Sequence, residues 1–206
     1  MTESRKEQKQ TGALFNIYEW VDAIVIALVF VVTLFTFILG IVGVSGPSMQ
    51  NTIQSGDKVI ISNLFYTPQH GDIVVISRNY ANDPAALTNS DGNDSSPIIK
   101  RVIGLPGDKI RIDSEKGVVY RNDVALKEPY TFAPNDTIKA QGNPSYDFSG
   151  DVPVPPGHIF VMGDHREVSM DSRYKQIGMV DERYVLGKAI YRIFPINSFG
   201  SLYKNT

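Results

Sequence analysis

The sequence predicts a mainly β protein of antiparallel sheet, led by one long apolar helix. Three observations carry this. The run from Ala23 to Val44 is 22 residues long and holds no charge. Beyond it, short Val- and Ile-rich runs recur, cut apart by Gly, Pro, Asn and Asp. No stretch after Val44 sustains the 3.6-residue period of an amphipathic helix, so the alternating helices of a parallel sheet have no source. A chain of 206 residues with 42% apolar residues is long enough for one packed domain with an elaboration.

The apolar run comes first. As a helix its 22 residues would extend about 33 Å, enough for a bilayer core of about 30 Å. Tyr18 and Trp20 stand at its leading edge, where aromatic rings favour the membrane interface. Arg5, Lys6 and Lys9 precede it and only Lys58 comes after it at comparable distance, which predicts a cytoplasmic N-terminus (residues 1–22), an anchor at 23–44 and an extracytoplasmic domain at 45–206. A buried core helix would be shorter. A cleaved signal peptide would carry an apolar core of about 7–15 residues.

Strands are predicted at Lys58–Ser62, Asp72–Ser77, Ile98–Ile103, Lys109–Ile112, Gly117–Tyr120, His158–Met162 and Leu186–Phe194. Two stretches read as irregular. Asn79–Pro97 is polar and turn-rich, an exposed loop. Glu128–Pro156 is rich in Pro, Asn, Gly and Asp with aromatics among them, a surface subdomain or long excursion between strands.

Composition closes several functional classes. Lys plus Arg is 20 against 22 for Asp plus Glu, a net charge of −2, so no nucleic-acid partner is expected. With 0 cysteines there is no thiolate nucleophile or thiolate metal site, and 3 scattered histidines argue against a His-rich metal centre.

Three segments can carry chemistry. In Gly46-Pro47-Ser48-Met49-Gln50-Asn51-Thr52 a turn would present the Ser48 hydroxyl, although Gly-Pro-Ser is also ordinary linker sequence. In Ile98–Asp108, alternation puts Lys100 on one strand face with Ile98 and Val102, and Arg101 on the other with Ile99 and Ile103. If both faces are covered, a cation enters an apolar environment, and burial would depress a lysine pKa toward that of a useful base. On an edge strand both cations would reach water instead. In Gly163–Arg173 (GDHREVSMDSR), ionisable and hydroxylic residues crowd together, and Asp171 and Arg173 are placed to pair. A solvated, charged turn is the alternative.

In order and spacing the three segments resemble the membrane-bound bacterial type I signal peptidases, and most closely their single-anchor Gram-positive form. GPSMQNT is similar to the family's G-x-S-M-x-P-T, KRVIGLPGD to its lysine segment, and GDHREVSMDSR to G-D-N-R-x-x-S-x-D-S-R; GMVDERYVLGKA fits the strand that comes next. The resemblance runs from the anchor to about Phe194. It implies a serine endopeptidase with an antiparallel β-sheet catalytic core and a smaller inserted β subdomain, here roughly residues 113–154. Ser48 would be the nucleophile and Lys100 the general base. Ser169 would orient the Lys100 amine, and Asp171 and Arg173 would hold the segment that carries it. Val44, Met49, Ile53 and Ile99 would line shallow pockets for small side chains one and three residues before the cut. No cofactor or metal is implied. The partners implied are signal-peptide-bearing preproteins, the lipid bilayer and the secretion translocon. Asn51 replaces the family's usual Pro and His165 its usual Asn; Pro47, lacking an N–H, cannot donate to an oxyanion, so the Ser48 N–H is the one oxyanion donor the resemblance supplies. A signal peptidase dedicated to a narrow substrate set, such as pilin assembly, and a non-catalytic assembly factor stay open beside the general enzyme.

Overall fold

A computed structural model describes residues 18–33, 39–77, 97–132 and 146–203. The polar stretch 79–97 lies outside them except for Pro97, as do Arg5, Lys6 and Lys9. The chain divides into two units, Met1–Gly40 and Ile41–Thr206.

The first unit carries helix α1, residues 18–33. Its side chains are exposed all round, including Trp20, Ile24, Leu28 and Phe30. Among the described residues no helix is long and apolar enough to cross a membrane. The apolar run does not remain helical to Val44. Leu39–Gly43 forms strand β1. Gly40 and Gly43 weaken a helix there, and the β-branched Ile41 and Val42 favour extended backbone once a partner strand is at hand.

The second unit is built on antiparallel ladders. In chain order the strands are β2 (Lys58–Ser62), β3 (Ile73–Ile76), β4 (Ile98–Gly104), β5 (Lys109–Asp113), β6 (Val118–Arg121), β7 (Val124–Ala125), β8 (Val152–Pro153), β9 (His158–Met162), β10 (Val180–Asp181), β11 (Val185–Phe194) and β12 (Gly200–Ser201). The main sheet runs β1-β2-β11-β3-β4-β9-β10, with β12 also on β11, and a smaller sheet runs β7-β6-β5-β8. The seven strands expected beyond Val44 are all present, with ends moved by a residue. The smaller sheet starts at Lys109, earlier than the insert expected from residue 113.

Strand β4 fixes the surroundings of both cations. It lies inside the main sheet, between β3 and β9, so the edge-strand alternative for Lys100 and Arg101 does not hold. Lys100 sits opposite Val74, and Arg101 opposite Ile73 and Met162. Both faces of β4 are covered. One apolar cluster gathers Val44, Met49, Ile53, Val59, Ile73, Val75, Ile99 and Ala189. Another, of Ile103, Ile110, Ile112, Val119, Val154, Phe160 and Met162, joins the two sheets. Burial at about 25 cal/mol per Å² of apolar surface makes these clusters the main support of the unit.

Candidate active site

The chain leaves β1 and turns at Gly46, whose φ of 90° is a left-handed value that a side chain would strain. The turn is fixed by Gln50 N–H donating to Pro47 O at 3.1 Å, and by Thr52 and Ile53 N–H donating to Met49 O at 2.9 and 2.8 Å. Met49 and Ile53 anchor it in the core, at 2% and 0% exposure. Ser48, beside Met49, is half-buried.

Lys100 meets Ser48 from β4. Its amine Nζ lies 2.8 Å from Ser48 Oγ and 3.1 Å from Ile99 O. With 4% exposure it has almost no water, and this burial pushes its pKa from 10.5 down to about 8. Asp171 and Asp164 oppose that push and Arg173 assists it. A neutral amine at this distance can accept the Ser48 proton; a charged one cannot.

The Gly163–Arg173 segment forms the third wall. Arg173 Nε donates to Asp171 Oδ1 at 2.8 Å and its Nη2 to Oδ2 at 2.9 Å, with the side chains 1% and 0% exposed. Burial alone would push the Asp171 carboxyl up; the Arg173 charge and hydrogen bonds, with the Gly163 N–H at 3.0 Å, outweigh it and hold the carboxyl low. Arg173 Nη2 also donates to Arg166 O at 2.7 Å and Ser169 O at 3.2 Å, so the pair pins the loop's own backbone. This burial excludes the alternative of a solvated turn.

Gly163 lies where two site residues converge. A Cβ built on it would overlap Ser169 Oγ and Ser48 O, and would come 2.5 Å from Ser169 Cβ. Two residues on, His165 N–H donates to Ser48 O at 3.0 Å. The segment therefore grips the Ser48 backbone directly.

Ser169 departs from its expected partner. Its hydroxyl is buried and, among the described residues, makes no hydrogen bond. The second acceptor of the Lys100 amine is the Ile99 carbonyl instead. Val44, Met49, Ile53 and Ile99 share one apolar cluster, and all four are buried.

A second ionic group has no counterpart in the sequence reading. Arg101 points away from Lys100 and donates through Nε and Nη2 to Asp164 at 2.8 and 2.6 Å, and through Nη1 to Gly71 O at 2.9 Å. Thr52 Oγ1 donates to the same carboxylate. The turn after Gly46, β4 and the Gly163 loop are thus tied together a second time, apart from the Ser48–Lys100 contact. The adjacency of two cations in β4 is the available signal, since both faces of the strand are covered. Glu128, which pairs with Arg166, leaves no signal at all.

A family model for signal peptidase, peptidase S26, matches residues 17–194. The chain belongs to this family and is a serine peptidase, a hydrolase of peptide bonds. Among its relatives, "Signal peptidase I" of Bacillus licheniformis is 33% identical over 195 residues, 93% of this chain and 96% of the relative. "Probable signal peptidase I-1" of Synechocystis sp. is 33% identical over 190 residues, 90% of this chain and 87% of the relative. "Signal peptidase I" of Bacillus amyloliquefaciens is 29% identical over 196 residues, 94% and 96%.

Proposed function

We propose that this protein is a membrane-anchored endopeptidase that removes N-terminal signal peptides from exported preproteins, cutting after small-x-small sequences, with Ser48 as nucleophile and Lys100 as general base. The observation that carries the reading is the 2.8 Å approach of an almost waterless Lys100 amine to the Ser48 hydroxyl.

In the reaction, Ser48 Oγ attacks the scissile carbonyl carbon while Lys100 Nζ takes the hydroxyl proton. The Ser48 N–H donates to the oxyanion that forms. As the C–N bond breaks, the Lys100 ammonium returns the proton to the leaving amine, and the new N-terminus departs. Water then attacks the acyl-serine ester. Lys100 accepts the water proton and hands it back to Ser48 Oγ, which restores the free enzyme. Asp171 and Arg173 hold the loop behind the amine. In this reading Val44, Met49, Ile53 and Ile99 form the apolar lining that admits small side chains before the cut.

The substrate's origin supports the location. Ser48 lies four residues after the apolar run 23–44, and the cationic residues precede that run, so the nucleophile would sit at the outer face of the bilayer where a translocated signal peptide ends. From Ile24 onward helix α1 presents an apolar surface on every side, which suits lipid better than water.

The test is cleavage of a purified preprotein by the full chain in detergent, with the new N-terminus read by mass spectrometry. Cleavage is expected after a small-x-small sequence and is lost in Ser48→Ala and Lys100→Ala. Activity on a pilin precursor alone would move the reading to a dedicated enzyme, and no cleavage of any precursor would overturn it.

A further inference from the structure

We infer that Glu128 is a positioning residue, and that residues 128–132 act as a strap from the inserted region that sets the Gly163 loop against Ser48. The inference rests on the proposed Ser48/Lys100 dyad.

The strap touches that loop at three places. Glu128 accepts from Arg166 Nη1 and Nη2 at 2.9 and 2.6 Å, a bidentate pair with the side chains 10% and 1% exposed. Phe132 N–H donates to Asp164 O at 3.1 Å. The Phe132 ring stacks on His165 with centroids 4.2 Å apart and an interplanar angle of 20°. Between these points the Tyr130 ring lies over the Arg101 guanidinium at 3.9 Å, and its hydroxyl donates to Glu128 at 2.9 Å. Burial, and the Glu128 carboxylate beside it, push the Tyr130 phenol up, so it stays a neutral donor.

Two of the contacted residues, Arg166 and His165, are themselves tied to the site. Arg166 Nε donates to Gly163 O at 3.0 Å, and Gly163 is the residue with no room between Ser169 and the Ser48 carbonyl. His165 N–H holds the Ser48 carbonyl itself. Removing the Glu128 charge takes the bidentate carboxylate away from a buried guanidinium. Arg166 then shifts, Gly163 moves with it, and Ser48 is displaced relative to an amine that stays in place, because β4 is held in the sheet between β3 and β9. A displacement of about 1 Å at a reacting atom is enough to cost on the order of 10²-fold in rate. Glu128 never meets the substrate or the reacting atoms, so its effect falls on kcat and not on KM.

The experiment measures kcat, KM and thermal midpoint of the full chain in detergent with one preprotein, for Glu128→Gln, Arg166→Lys, the double variant and Ser48→Ala. Glutamine keeps the shape and one acceptor oxygen, so folding is retained. Glu128→Gln and Arg166→Lys are each expected to lower kcat about 10- to 100-fold with KM within about threefold. The double variant should be no worse than the poorer single by more than about threefold, since the two residues act as one unit. Normal kcat in Glu128→Gln, or a drop in thermal midpoint with kcat of the folded fraction unchanged, overturns the strap while a dead Ser48→Ala leaves the dyad standing. Losses that multiply in the double variant also overturn it. Turnover by Ser48→Ala would instead remove the reading on which the strap rests.

Discussion

At the scale of single residues, the site is a set of buried polar groups placed where burial is costly. An unmet buried hydroxyl costs roughly 1–3 kcal/mol. Ser169 carries one, beside the residue pair that the reaction is proposed to use. Such a group is explained if it finds a partner only when charge develops on the Lys100 amine. Ser169→Ala should therefore leave the thermal midpoint unchanged or raise it, while kcat falls by about one to three orders of magnitude, centred on the 10²-fold usual for positioning. Parallel thermal melts and single-turnover cleavage assays decide this. A variant with normal kcat would place the hydroxyl outside the reaction, and one that loses stability and activity together would make it part of the fold.

At the scale of elements, three pieces distant in sequence are brought to one point: the turn after Gly46, strand β4 and the loop from Gly163. They are fastened by the Lys100–Ser48 and His165–Ser48 hydrogen bonds, and again by Arg101, Asp164 and Thr52. Gly163 is the tightest place in this junction. Gly163→Ala forces a methyl group against Ser169 and the Ser48 carbonyl, and overpacking of this kind costs about 1–3 kcal/mol. We expect a lowered thermal midpoint and a kcat reduced at least about 100-fold. Gly150→Ala, at a position where an added Cβ meets nothing within 4 Å, should change neither. A Gly163→Ala protein with normal turnover would show that the loop does not set the position of Ser48.

The same scale shows what sequence can and cannot reveal. Strands such as Ile98–Gly104 and His158–Met162 are legible because their Val and Ile runs end at turn residues. Strand β1 is hidden, since Leu39–Gly43 continues an apolar run and only pairing with β2 makes it extended. The two-residue strands β7, β8, β10 and β12 are too short to show a period. Ser48, Lys100, Asp171 and Arg173 are legible because the three segments that carry them match a family pattern in order and spacing, whereas each segment alone leaves a bland alternative open. Arg101 with Asp164 and Glu128 with Arg166 are not legible, because 63 and 38 residues separate the partners and no spacing rule reaches that far.

For the whole molecule, the fold serves to exclude water from one amine. Both faces of β4 are covered, residues 128–132 contact the Gly163 loop, and burial draws Lys100 toward its neutral form. The direct test is the dependence of kcat/KM on pH for cleavage of a preprotein. Lys100 is drawn from 10.5 down to about 8, so below about pH 8 most of it is protonated and unable to accept the Ser48 proton. The rate should rise about tenfold per pH unit below that value and level off near it, and Lys100→Ala should show no turnover. A midpoint near the unperturbed histidine value of about 6.5, or a Lys100→Ala enzyme that keeps the wild-type profile, would contradict the assignment of Lys100 as the base.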